Sequence, residues 1–312
     1  MAIACATGAA KGVFVHGVLA AFEERGFTAD LYAAASSSTI PAAFAAIHDL
    51  RSLGETDYWL RVGAAYHSEG LDMGAAVKRG IKDVMPTLAD RLFAPGAAPF
   101  ALLAGEVITK TAAAETQGDG ARQLGRRLLL GVRKQDRSWA DEHLAGRLFT
   151  TARPDAPGPW NAVGPDDVRG FASAGPVTVC RLTPDNLADA LYATTRMLHA
   201  WKDPGWIDGR PFVDASYTSS CPVREVAALG AQEVIAITPE AGPFYLDVFR
   251  SQTIQAAYGS TIVHSIQPEV NLAEVGVDYA NATPEGLTTA FAMGRDAGEA
   301  FIRRRRSPAR LL

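Results

Sequence analysis

The sequence is poor in the features that usually announce a chemistry. Its 312 residues include three cysteines, Cys5, Cys180 and Cys221, with no close spacing between any two. That excludes a CxxC metal or redox motif and a disulfide framework, so a reduced, cytoplasmic chain is expected. Basic residues are not in surplus: 30 Lys and Arg stand against 34 Asp and Glu, a formal charge of −4. A broadly basic nucleic-acid binder is thereby excluded. The six histidines (His16, His48, His67, His143, His199 and His264) lack metal-ligand spacing, and structural or surface roles are expected for them, with no metal and no cofactor. A long apolar run is also missing. The uncharged stretch from Leu31 to Ile47 is broken by serines and Pro41, whereas a spanning helix needs about 20 mostly apolar residues. No basic region precedes the first apolar residues, and Lys11 interrupts them, so no signal peptide is expected.

What is present is ordinary globular material. With 48% hydrophobic and 21% charged residues, the chain is neither disordered nor membrane-spanning by composition. Ile3–Ala6 reads as a short buried strand ending at Thr7-Gly8. Val15, Val18, Leu19 and Phe22 then recur at helical spacing, with Gly26 as a C-cap. Leu31–Ala35 reads as a second buried strand, and an alanine-rich helix begins near Thr39. Strand, helix, strand in this order predicts a parallel sheet covered by helices. From about 50 to 146 the pattern is mostly helical and is read as a helical cap or insertion. Sheet signals return at Arg147–Ala152 and, after the Pro/Gly-rich loop Arg153–Gly164, at Val177–Leu182, Arg210–Ala215 and Glu233–Thr238. One α/β domain over residues 1–312 is the economical organisation.

Two constellations carry chemistry. Thr7-Gly8-Ala9-Ala10-Lys11-Gly12 lies between a strand and a helix start. Amides at such a turn favour an anion or a developing oxyanion, although a tight turn alone also needs small residues. The second strand ends in Ala34-Ala35-Ser36-Ser37-Ser38, an A-x-S-x-S variant of the G-x-S-x-G elbow that exposes a nucleophilic serine. A Ser/Thr cluster capping a helix is the plainer reading. Far along the chain, Arg210-Pro211-Phe212-Val213-Asp214 places a carboxylate where an apolar strand enters a loop of small residues. Desolvation there would raise its pKa and make it a better proton acceptor.

Together these stretches resemble the patatin-like phospholipase family. The first turn, followed by His16-Gly17-Val18-Leu19, is similar to that family's glycine-rich oxyanion motif. Asp30, four residues before Ala34, stands where the family has an Asp before its elbow, and this register selects Ser36 over Ser37. Asp214-Ala215-Ser216, with Pro222-Val223 downstream, is similar to the D-G-[GA] motif. Ala190–Thr195 and Glu233–Ala236 match the flanking segments. The resemblance covers roughly the first 50 residues and 185 to 240. It implies a three-layer α/β/α sandwich with a mainly parallel central sheet, and a Ser-Asp dyad without a catalytic histidine. Ser36 would attack an acyl carbonyl, Asp214 would accept its proton, and the amides of Gly8, Ala9 and Ala10 would hold the oxyanion. The implied partner is a lipid or a small acyl ester or thioester, hydrolysed or passed to another acceptor.

Six positions where the family usually has glycine or a very small residue read Thr7, Ala9, Ala34, Ser38, Ala215 and Ser216. Each Cβ costs about 1–2 kcal/mol wherever a left-handed backbone is required. A non-catalytic acyl-binding protein on the same fold therefore stays open. So does a short-chain dehydrogenase, whose T-G-x-x-x-G-x-G turn the first segment also resembles, with Asp30 near the ribose-ligand position. That reading puts Phe14 at the third glycine and leaves Phe212–Val223 unexplained. Trp201 and Trp206 are candidates for an acyl pocket or for packing, and Cys221 for the pocket wall or the core. Arg303–Arg306 is either a transient contact with anionic headgroups or a solvated helix end complementing the helix dipole.

Overall fold

Alternate residues of the first two strands serve two different apolar clusters, which is how a strand buried on both faces behaves. Ile3, Cys5, Tyr32 and Ala34 belong to one cluster, and Ala2, Ala4, Leu31, Ala33 and Ala35 to the other. The structure, a computed structural model, describes residues 1–134, 136–152, 178–201, 205–249 and 252–306. The expected loop at 153–164 lies outside them. The described strands are β1 (Ala2–Cys5), β2 (Leu31–Ala35), β3 (Phe100–Val107), β4 (Leu144–Thr150) and β5 (Thr178–Arg181). They continue with β6 (Gly205–Ile207), β7 (Arg210–Val213), β8 (Glu233–Ile237), β9 (Ala257–Tyr258) and β10 (Thr261–Ile266). The helices are α1 (Gly12–Glu24), α2 (Thr39–Ala46), α3 (Leu50–Leu53), α4 (Asp57–His67), α5 (Met73–Arg91) and α6 (Lys110–Glu115). After them come α7 (Gly118–Lys134), α8 (Ser138–His143), α9 (Leu187–Thr194), α10 (Val223–Ala228) and α11 (Pro284–Arg306).

The sheet runs in the order β5-β4-β3-β2-β1-β8-β10-β9, and the β6–β7 hairpin attaches to β3. Neighbours from β3 through β2, β1 and β8 to β10 are parallel; β4 is antiparallel to β3, and β9 to β10. The fold is thus α/β with a mostly parallel, mixed sheet flanked by helices. The cluster containing Ile3 is completed by α1, α2 and α11; that containing Ala2 by α10. Helices α1 and α11 touch at glycines: a Cβ on Gly17 would lie 2.1 Å from the Phe291 carbonyl, and one on Gly294 2.1 Å from that of Phe14. Gly26 follows α1 at φ +63°, as a C-capping glycine does.

The stretch from 50 to 146 departs from its expected helical character. Between α5 and α6 runs β3, eight fully buried residues, Phe-Ala-Leu-Leu-Ala-Gly-Glu-Val, near the middle of the sheet. A continuous apolar run does not distinguish a buried strand from a buried helix, and Ala and Leu favour the helix. Pairing decides it: β3 bonds to β2, to β4 and, at its C-terminal end, to β7. That last contact pairs Gly105 with Val213 and brings the residue after β7, Asp214, to the carboxyl end of β2.

Candidate active site

At the end of β2 the chain turns into a short 3₁₀ segment, Ser36–Ser38, before α2. Ser36 holds φ +56°, the left-handed region that a side chain makes costly. Several hydrogen bonds fix that conformation. The Ser36 amide donates to Thr194 Oγ1 at 2.9 Å, and the Thr194 hydroxyl donates to the Leu103 carbonyl at 2.5 Å. The Ser38 hydroxyl donates to the Ala6 carbonyl at 2.6 Å, tying the turn to the end of β1, and Thr39 Oγ1 donates to the Ser36 carbonyl. Strain at one residue is thereby over-determined by its surroundings, the pattern common at functional sites.

The Ser36 hydroxyl donates to Asp214 Oδ2 at 2.7 Å, across 178 residues of sequence. Asp214 lies at the end of β7 with φ −50° and ψ 140°. Its Oδ1 accepts the Ser216 amide at 2.8 Å, and its own amide donates to the Arg196 carbonyl at 2.7 Å. The carboxylate is fully buried. Burial pushes its pKa up to about 6, opposed by hydrogen bonds from Ser216 and Ser36. Ser37 does not share this arrangement. Its hydroxyl oxygen is buried without a partner among the described residues and faces the start of α1, where a Cβ on Gly12 would stand 3.0 Å away.

The Gly8–Lys11 turn packs directly on the Ser36–Ser38 segment. A Cβ on Gly8 would strike the Pro239 ring at 2.6 Å, so the close approach requires glycine. Ala9 takes φ +47°, and among the six small-residue replacements only it lies in the left-handed region. Thr7, Ala34, Ser38, Ala215 and Ser216 therefore carry no backbone penalty. The three expected oxyanion donors are not equivalent. The Ala10 amide donates to the Tyr279 carbonyl at 3.3 Å, whereas the Gly8 and Ala9 amides meet no acceptor among the described residues. Lys11 anchors the turn: it is buried, its ammonium is 3.2 Å from Glu240 and lies 4.4 Å from the Tyr279 ring centre.

Other residues marked in the sequence take structural places. His16 is buried; its Nδ1 accepts the Trp59 indole N–H at 3.4 Å, and burial lowers its pKa to about 3. Cys221 is buried with its thiol directed at the Ala4 carbonyl, and burial raises its pKa well above the ordinary thiol value. Trp201 stacks on Tyr192 in the core, whereas Trp206 is partly exposed and borders a groove of about 400 Å³ with Ile81, Met85 and Tyr192. A second, polar hollow of about 470 Å³ lies among Cys180, Arg181, Asp208 and Arg210. Ser36 and Asp214 line neither. Among the described residues, no group of His, Cys, Asp or Glu is arranged to hold a metal ion, and no helix is long and apolar enough to cross a membrane. Thr194 is the residue whose part the sequence did not reveal: it sits in the flanking segment Ala190–Thr195, but its bond to Ser36 depends on where α9 ends under β3.

What the arrangement can do chemically is clear from its parts. A serine hydroxyl is held on a strained turn, hydrogen-bonded to a buried carboxylate of raised pKa, beside two amides that meet no acceptor among the described residues. No family model and no curated protein matches the chain.

Proposed function

We propose that the protein is a serine acyl hydrolase working through a Ser36–Asp214 dyad. The observation that carries this reading is the 2.7 Å bond from a hydroxyl held at positive φ to a buried carboxylate. The resemblance to patatin-like phospholipases supports it, as does a sheet packed on both faces, in keeping with a three-layer sandwich. Ser36 Oγ would attack the acyl carbonyl while Asp214 takes its proton. The Gly8 and Ala9 amides would stabilise the oxyanion; one such donor is typically worth about 2.7–4 kcal/mol in the transition state. The leaving alcohol or thiol takes the proton from Asp214 as its bond to the acyl carbon breaks. Water, losing its proton to Asp214, then releases the acid and restores the serine; another acceptor in place of water makes the reaction an acyl transfer. The substrate proposed is an ester or thioester with an apolar acyl chain. The free thiols of Cys5, Cys180 and Cys221 support a reducing, cytoplasmic setting for this reading.

A second reading rests on one observation: Ser36 is only 6% exposed and neither cavity reaches it. In a non-catalytic acyl-binding protein the same dyad would be a buried structural hydrogen bond. Reaction with a fluorophosphonate probe separates the two. The hydrolase predicts labelling that disappears in Ser36→Ala and persists in Ser37→Ala. A correctly folded parent protein that takes no label, or takes it equally in Ser36→Ala, removes the hydrolase.

A further inference from the structure

Helix α7 presents two faces of opposite character. Inward, Ala121, Leu124 and Leu128 are buried in a cluster with Val107 and Tyr217. Gly125 lets the helix sit close on the segment leading to Asp214: a Cβ there would lie 2.4 Å from the His199 amide nitrogen. Outward, Leu129 and Leu130 are 42% and 54% exposed. Arg126 and Arg122 lie one and two turns before them, respectively, on the same side. Adjacent exposed leucines flanked by arginines give this side of the helix the mixed apolar and cationic character of an interfacial helix.

The charge on that face is unbalanced. Over 118–131 Asp119 is the single acidic residue of α7, against Arg122, Arg126 and Arg127. Arg127 is paired with Glu115 at 3.2 Å. Arg122 and Arg126 meet no acidic partner among the described residues. The arginine run at the end of α11 differs. There Arg305 pairs with Glu233, Arg303 with Glu299, and Arg306 donates to the Arg25 carbonyl. Three of the four arginines of the C-terminal run, considered from sequence as a headgroup contact, are thus engaged within the fold, whereas Arg122 and Arg126 on α7 meet no acidic group among the described residues.

We propose that the outward face of α7 docks on an anionic lipid surface. Leu129 and Leu130 enter the boundary between headgroups and acyl chains, while Arg122 and Arg126 meet phosphate groups, whose geometry suits a guanidinium fork. The helix lies along the surface, held from behind by its apolar inner face. An acidic protein would satisfy the arginines but would give the two exposed leucines no apolar medium to enter, so lipid is the occupant that uses both. This docking goes beyond the dyad and does not depend on it.

The test is co-sedimentation of the full chain with vesicles of phosphatidylcholine alone, or of phosphatidylcholine and phosphatidylserine in equal parts. Binding is expected to the anionic vesicles, and to fall in high salt. Arg122→Gln/Arg126→Gln should weaken it roughly 30-fold, from about fivefold per basic residue at such a surface. Leu129→Ser/Leu130→Ser should weaken it at least about tenfold. Arg126, Leu129 and Leu130 are exposed and Arg122 is half-buried; unchanged circular dichroism and melting will show the variants are folded. Ser36→Ala should bind like the parent, which separates this surface from the hydrolase reading. Equal binding to neutral and anionic vesicles, no binding, or folded variants that bind like the parent would overturn the proposal. So would retention of poly-glutamate through Arg122 and Arg126 by a chain that ignores both vesicles, an outcome that assigns the face to acidic protein.

Discussion

The two halves of the dyad are held under different kinds of stress. On the Ser36 side the cost is conformational. Ser36 and Ala9 both sit in the left-handed region, at about 1–2 kcal/mol each, and hydrogen bonds from Ser38, Thr39 and the Ser36 amide keep the turn in place. On the Asp214 side the backbone is relaxed, and the cost is one of solvation. A carboxylate is buried completely, and the groups that offset its burial are neutral ones, on Ser216 and Ser36. The difference teaches that the stress on each side can be relieved separately, by glycine on one and by a neutral amide on the other.

The sharpest way to break the comparison is Asp214→Asn. Asp214 is pushed from the ordinary 3.8 to about 6 in the folded protein. The folded state therefore binds that proton more tightly than the unfolded chain does. Its contribution to stability is fully present below about pH 4 and is lost as pH rises through 6. At pH 8 the ionised carboxylate costs about 3 kcal/mol, by 1.36 kcal/mol per pKa unit. Asp214→Asn should lower the probe-labelling rate about 100- to 10,000-fold. In urea unfolding it should also raise stability by about 2–3 kcal/mol at pH 8 with no gain at pH 4. A variant equally stable at both pH values relative to the parent would mean the solvation stress is absent. In the parent, the labelling rate should rise as pH passes 6 and then level off, because the reaction needs the ionised carboxylate.

Smaller changes probe the strained side. Thr194→Val removes the acceptor of the Ser36 amide and the donor to the Leu103 carbonyl, both buried. It should cost about 1–3 kcal/mol in urea unfolding and slow labelling without abolishing it. Ala9→Gly should have the least effect. Relief of about 1–2 kcal/mol of left-handed strain is offset by about 0.5–1 kcal/mol of extra freedom in the unfolded chain. A net gain of at most about 1.5 kcal/mol with labelling retained is the expected result; a loss of stability would show that Ala9 is not strained as its φ implies.

How much of this was legible in the sequence depended on what each residue answers to. Leu31–Ala35 is a strand at the expected bounds, because five apolar residues between turn signals leave little alternative. The first helix follows from Val15, Val18, Leu19 and Phe22 for the same local reason. The meeting of residues 36 and 214 came from motif register; periodicity alone could not bring them together. β3 escaped because its Ala- and Leu-rich run is helix-like locally, and only its pairing with three other strands makes it extended. The Ala10 amide was read as an oxyanion donor because nothing near it in sequence hints that the Tyr279 carbonyl comes to meet it. At the six substituted motif positions the penalty depends on φ, which belongs to the turn and not to the residue; only Ala9 takes the left-handed region.

The placement of β3 between β2 and the hairpin carrying Asp214 sets an order of events on the ribosome. Ser36 is made 178 residues before its partner, an interval of roughly 9–36 s at ordinary elongation rates of about 5–20 residues per second. A nascent chain in that interval carries a hydroxyl with no proton acceptor beside it. Only when β7 has settled against the far end of β3 does the carboxylate arrive, so the docking of this hairpin is also the step that gives the serine hydroxyl its acceptor.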